Sequence, residues 1–258
     1  MSFDADLTAC AALVEKADPD RFLAAMAAPV SARRVLFPLY ALNVEVARAP
    51  WVTQEAMIAE MRLQWWRDAL EEIAGGKPAR RHQVVTPLAA ILSPELAVYL
   101  DQYVSVRRWD IYKDPFEDAA HLASYLEHSA GALMVAAAQS LGPADTDVLR
   151  DYGYATGVAN WLRAMPELEA RGRIPLLDGT AEGVRMLAEN GLTRLVRARR
   201  GRAAVSAAAR PALLAGWQTE AILKQAVAAP GLVASGALGQ SEFRKRASLM
   251  WQAVSGRW

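Results

Sequence analysis

The sequence predicts a single all-α domain spanning 1–258, and three observations carry that prediction. Apolar residues recur at helical spacing along the chain, and no segment alternates apolar and polar residues with β-branched enrichment. About a fifth of the 258 residues are Ala, and Arg supplies all but five of the 29 basic residues, both favourable helix formers. Breaks such as Gly75-Gly76-Lys77-Pro78 and Gly142-Pro143 divide the periodic segments where helices stop and start.

The elements follow in order. Asp18-Pro19-Asp20 opens a short helix through Phe22, Leu23 and Met26, which Pro29 closes. Ser31 is the expected N-cap of a helix carrying Leu36, Leu39, Tyr40, Leu42 and Val46, ended by Pro50. After Thr53 a long helix is expected with Met57, Met61, Trp65, Ala69 and Ile73 on one inward stripe, stopped by Gly75-Gly76-Lys77-Pro78. Pro94 to Arg108 reads as the next helix, broken at Lys113-Asp114-Pro115. Glu117 to Leu141 is expected as one long helix whose small centre, Ala130-Gly131-Ala132, permits close packing. Asp145 to Leu168 follows, and beyond Gly172-Arg173-Ile174-Pro175 two or three more helices run to Trp258, divided near Pro211 and Pro230-Gly231. The last stretch, Phe243 to Trp251, reads as an amphipathic helix, either packed with a solvated basic face or touching an anionic membrane.

Composition excludes several functions. A formal charge of +1 provides no field for nucleic acid, and none is expected as a partner. Cys10 alone cannot build a disulfide framework or a thiolate metal site, and the three histidines have no ligand spacing. Apolar runs reach only about ten residues, short of the ~18 that a spanning helix needs. Met1-Ser2-Phe3-Asp4-Ala5-Asp6 places acids where a leader peptide carries bases, so the expected location is cytoplasmic, or peripheral on the inner face of a membrane. There is no G-x-S-x-G, phosphate-binding loop or dinucleotide fingerprint.

Two clusters are candidates for a binding site. In Arg62-Leu63-Gln64-Trp65-Trp66-Arg67-Asp68, neighbouring tryptophans point about 100° apart on a helix, so only one can lie on the buried stripe. The cluster reads either as a core tryptophan with an interhelical ion pair from Asp68, or as an aromatic wall with guanidinium groups for an apolar ligand bearing an anionic head. Asn160 and Arg163, three apart, share a helix face, followed by Arg171-Gly172-Arg173. Asp110, Asp114 and Asp118 have i, i+4 spacing, but Pro115 divides them and the acids suit a helix entry better than a metal site.

These segments, with Ala32-Arg33-Arg34-Val35-Leu36-Phe37-Pro38-Leu39-Tyr40-Ala41-Leu42-Asn43, Ala130-Gly131 and Gly157-Val158-Ala159-Asn160-Trp161-Leu162-Arg163, resemble the squalene/phytoene synthase family from about Asp20 to Leu177. The resemblance implies an isoprenoid synthase-type helical bundle around a central cavity, with Arg21, Tyr40, Asn43, Arg62, Trp66, Arg67, Asn160, Arg163 and Arg173 as candidate cavity residues. Active members carry Asp-rich helices that hold magnesium against a diphosphate. This chain departs from them: Val44-Glu45-Val46-Ala47-Arg48-Ala49-Pro50-Trp51 has one acid, and Ala164-Met165-Pro166-Glu167 follows Arg163. Pro175 replaces a tyrosine, and Arg21 stands where active members have a serine. The pattern is similar to the branch that includes the mitochondrial respiratory complex I assembly factor 6, whose members also lack the aspartate motifs. What this implies is a non-catalytic protein with no cofactor, binding a prenyl lipid, a prenyl diphosphate or a respiratory-complex protein. The alternative is a head-to-head prenyl transferase using farnesyl or geranylgeranyl diphosphate, with Mg²⁺ held by Glu45, Asp110 and Glu167.

Overall fold

The computed structural model describes residues 3–258. The expectation drawn from the acidic N-terminus rests partly on Met1 and Ser2, which lie outside the described residues. Thirteen α-helices with short 3₁₀ segments and one π turn make up the regular structure of the described residues, and no strand occurs among them.

Helices α1 (Phe3–Ala17), α2 (Pro19–Ala27) and α3 (Val30–Arg48) form the first layer. Asp18 caps α2 by accepting a bond from the Arg21 amide at 2.9 Å, with Pro19 at the first helical position, where its missing N–H costs nothing. Ser31 is not a cap: α3 already begins at Val30, directly after Pro29. Cys10 is buried on α1 and donates to the Gln83 carbonyl; burial first, then the Asp6 charge, push its thiol up to about 12. It is inert at neutral pH.

Helix α4 (Ala56–Ala74) ends at Gly75 and turns at Gly76 (φ 64°), a left-handed conformation that glycine adopts freely. Its buried face is Ala59, Leu63, Trp66, Ala69, Leu70 and Ile73. The expected stripe is thus corrected: Met57 and Met61 are exposed, Trp65 is half-buried, and Trp66 is the core tryptophan at 5% exposure. Arg67 of this helix pairs with Asp101 on another at 2.7 Å, whereas Asp68 accepts from Gln64 on its own helix.

A short α5 (Val85–Ala89) leads to α6 (Pro94–Val106), which packs on α4 and continues as a 3₁₀ turn, Arg107–Asp110. Ser93 caps α6. The predicted Glu117–Leu141 helix is α7 (Ala119–Leu126), a π turn (Glu127–Gly131) and α8 (Ala132–Gln139) in unbroken succession. Asp118 caps α7 through the His121 amide at 2.8 Å, the helix-entry role expected of these acids.

The centre is α9 (Thr146–Ala170), which packs against the π turn, α8, α10 (Ala181–Arg200) and α11 (Thr219–Ala228). A Cβ on Gly153 would lie 2.6 Å from the Gly131 Cα, so the two backbones touch where the sequence is smallest. A 3₁₀ segment (Arg210–Gly216), α12 (Gly231–Ala234) and α13 (Glu242–Ser255) complete the chain.

Candidate functional site

A cavity of about 620 Å³ opens between α2, α3, the π turn, α9, the 210–216 segment and α11. This is within the ~300–1,000 Å³ typical of small-molecule sites. Its apolar wall comes from Leu126, Ala130, Leu133, Gly157, Trp161, Trp217 and Ile222. Gly157 and Ala130 pack closely in this wall, since a Cβ on Gly157 would lie 2.9 Å from that of Ala130.

Its polar wall holds four cations and three carboxylates, and each carboxylate is already engaged. Asp18 pairs with Arg21 at 3.2 Å. Asp20 accepts from Lys245 at 2.7 Å, from Arg163 at 3.1 Å and from Gln218 at 2.9 Å. Burial raises the Asp20 carboxyl, but the Lys245 and Gln218 hydrogen bonds and the charges of Lys245 and Arg163 outweigh it and hold the group below the usual carboxylate range. Asp110 is buried and accepts from the Tyr125 hydroxyl at 2.8 Å and from Arg107 at 3.0 Å, while Arg107 also donates to the Tyr125 oxygen. Burial disfavours the Arg107 cation, yet Tyr125, Asp110 and Tyr103 around it keep its pKa well above the ordinary arginine value. The Arg107 Nε is buried without a hydrogen-bond partner.

Of the residues expected from sequence, Arg21, Asn43, Asn160 and Arg163 line this cavity. Asn43 accepts from the Tyr103 hydroxyl at 2.9 Å, which fixes its amide. Arg62 and Trp66 instead line a second pocket of about 240 Å³, with Glu45, Ala49, Trp65 and His82. Tyr40, Arg67 and Arg173 lie outside both walls. Tyr40 is buried under the Arg21 guanidinium, 5.2 Å from its ring. Arg67 ties α4 to α6 through Asp101. Arg173 is buried and donates to the carbonyls of Trp109, Asp110 and Tyr112, clamping the turn that presents Arg107 and Asp110. Sequence reasoning missed Arg107, Tyr125, Gln218 and Lys245. No local pattern marks them, because they reach the cavity from four separate elements.

The family resemblance implies magnesium held by carboxylates on facing helices. On α3 and the turn after it, the cavity-lining residues at steps of four are Asn43, Ala47 and Trp51; on α9 they are Gly157 and Trp161, Ala159 and Arg163, and Asn160, Ala164 and Leu168. A divalent ion between two helices needs carboxylate oxygens at such positions, and none of these side chains carries one. Nor does the set Glu45, Asp110 and Glu167 come together: Glu45 pairs with Arg48 beside the second pocket, and Glu167 is exposed with Arg171. Among the described residues no three His, Cys, Asp or Glu side chains are grouped to hold a metal. The residues present do not fit a magnesium cluster.

An all-α bundle closed around a half-polar cavity is the architecture of the isoprenoid synthases. The squalene/phytoene synthase family model matches residues 14–250, and the chain belongs to that family. A dehydrosqualene synthase crystallised with a ligand superposes with a TM-score of 0.76 at 17% identity, covering 98% of this chain and 97% of that one. Squalene synthase HpnC from Alicyclobacillus acidocaldarius gives 0.72 at 18% identity, over 87% and 94%. At such identities the likeness shows the fold alone. Among curated proteins, the Drosophila melanogaster homologue of NADH dehydrogenase (ubiquinone) complex I assembly factor 6 is 30% identical over 181 residues, 65% of this chain and 53% of its own length. The human assembly factor 6 is 25% identical over 169 residues, 64% and 51%. The chain spans about half the length of these relatives.

Proposed function

We propose that this protein is a non-catalytic member of its family, which holds a prenyl lipid or prenyl diphosphate in the central cavity and serves respiratory complex I assembly through a protein partner, on the cytoplasmic side of the membrane. The observation that carries the first half is that the cavity-lining residues of α3 and α9 carry no carboxylate. Ionising a prenyl diphosphate leaves negative charge on the departing group, which metal ions absorb with an effect of several kcal/mol. The cavity cations are spent on Asp18, Asp20 and Asp110, so they do not replace that charge sink.

Binding without turnover remains well served. Asn43, Asn160 and Gln218 present hydrogen-bonding groups to a headgroup, and Trp161, Trp217, Leu133 and Ile222 present apolar surface to a chain. The assembly role is supported by the likeness to the complex I assembly factors over nearly two thirds of this chain. Deleting the gene and measuring assembled complex I on native gels tests that role. Loss of the complex, restored by the wild-type chain, is the expected result; unchanged complex I content would remove it.

A further inference from the structure

Helix α13 is amphipathic in an inverted sense. Its inner face is fixed to the body: Leu249 is buried, Gln252 donates to the Trp217 carbonyl at 2.9 Å, and Lys245 reaches Asp20 in the cavity wall. Just beyond it the chain is pinned again, with Trp258 packed edge-on to Tyr152 and its carbonyl accepting from Arg199 at 2.9 Å. The helix therefore cannot roll to bury its other side. That other side carries Phe243, Ala247, Met250, Trp251 and Val254, at i, i+4, i+7, i+8 and i+11, which is one continuous stripe. All five are exposed, the four large ones at 63–87%. Exposed Arg244 and Arg246 flank the stripe on its two sides, and Arg257 follows the helix. The one acid of the helix, Glu242, is engaged by Lys245 at 3.0 Å and also neighbours Arg246.

We propose that the outward face of α13 is a docking surface for an anionic lipid bilayer, with Phe243, Met250, Trp251 and Val254 entering the interfacial region and Arg244 and Arg246 meeting lipid phosphates. Aromatic and aliphatic residues on one face with arginines at its edges are what a helix lying in a membrane interface requires. A second copy of the chain is a poorer occupant for two reasons. Two such faces packed in parallel would bring Arg244 and Arg246 against their own copies. In addition, a 14-residue helix is ~21 Å long and ~10 Å wide, a footprint of ~200 Å², well short of the ~800 Å² per partner of a stable interface. No described helix is long and apolar enough to span a bilayer, so contact through this face is peripheral.

The test is sedimentation of the full chain with vesicles of phosphatidylglycerol and phosphatidylcholine, against vesicles of phosphatidylcholine alone. Wild type should bind the anionic vesicles at least tenfold more tightly at low salt, and raising salt to 0.5 M should erase most of that preference. The double variant Phe243→Ser/Trp251→Ser should lose at least tenfold in binding while melting at the wild-type temperature, since both residues are exposed. Arg244→Glu/Arg246→Glu should abolish the preference for anionic vesicles. Wild type that stays in the supernatant at low salt, or a serine variant that binds as wild type does, would overturn the proposal. A concentration-dependent dimer lost in the serine variant, without vesicle binding, would overturn it in favour of self-association.

Discussion

At the scale of single residues, Asp20 is the junction of the cavity mouth, where α2, α9, α11 and α13 meet through one carboxylate. Because its folded pKa is depressed, the stability it contributes is fully present above the ordinary Asp value near 4 and is lost as pH falls through the lower folded value. Asp20→Asn should therefore lower the melting temperature at pH 7, with the gap to wild type narrowing below about pH 4; melting curves from pH 7 to 2.5 check it. Trp66 is the second residue-scale prediction. Trp66→Ala should cost about 3–5 kcal/mol in urea unfolding, as core aromatic truncations do, and Trp65→Ala distinctly less. Sequence reading reversed these two for a definable reason. Met57, Met61, Trp65, Ala69 and Ile73 repeat every four residues, and a strict period of four drifts about 40° per step against 3.6 residues per turn. Five such residues sweep from solvent into the core. The true buried face, Ala59, Leu63, Trp66, Leu70 and Ile73, alternates steps of four and three and holds its bearing. Arg173 was equally illegible as a clamp, because its acceptors are backbone carbonyls more than sixty positions away.

At the scale of elements, the chain announced most of its helices. Asp18, Ser93, Asp118 and Asp145 are N-caps, and Gly75-Gly76 closes α4, all through groups adjacent in sequence. Local chemistry of this kind can be read directly. The π turn at Glu127–Gly131 could not be read, since it depends on what α9 presses against it. Sequence showed only that Ala130-Gly131-Ala132 permits close approach, and the Gly131–Gly153 contact is that approach. Gly153→Ala should destabilise by about 1–3 kcal/mol, since the new methyl meets backbone at Gly131 and the Met134 Cβ at 3.0 Å. Gly179→Ala, with nothing within 4 Å of its Cβ, should change stability by less than about 0.5 kcal/mol. Equal losses in the two variants would show that the α9 contact is looser than described.

At the scale of the whole molecule, the family's fold encloses a cavity whose α3 and α9 walls carry no carboxylate. The three carboxylates that do line it are paired with arginine and lysine. Four of the nine residues expected in the cavity, Arg21, Asn43, Asn160 and Arg163, line it. The missing four, Arg107, Tyr125, Gln218 and Lys245, belong to the tertiary assembly and have no sequence signature. The central claim is that this cavity binds without ionising a prenyl diphosphate. Release of inorganic diphosphate from farnesyl and geranylgeranyl diphosphate, measured with and without magnesium, tests it most directly. The account predicts release indistinguishable from the protein-free control, and magnesium binding no tighter than millimolar in a parallel titration. Steady magnesium-dependent release that is lost in Glu45→Gln or Glu167→Gln would contradict it.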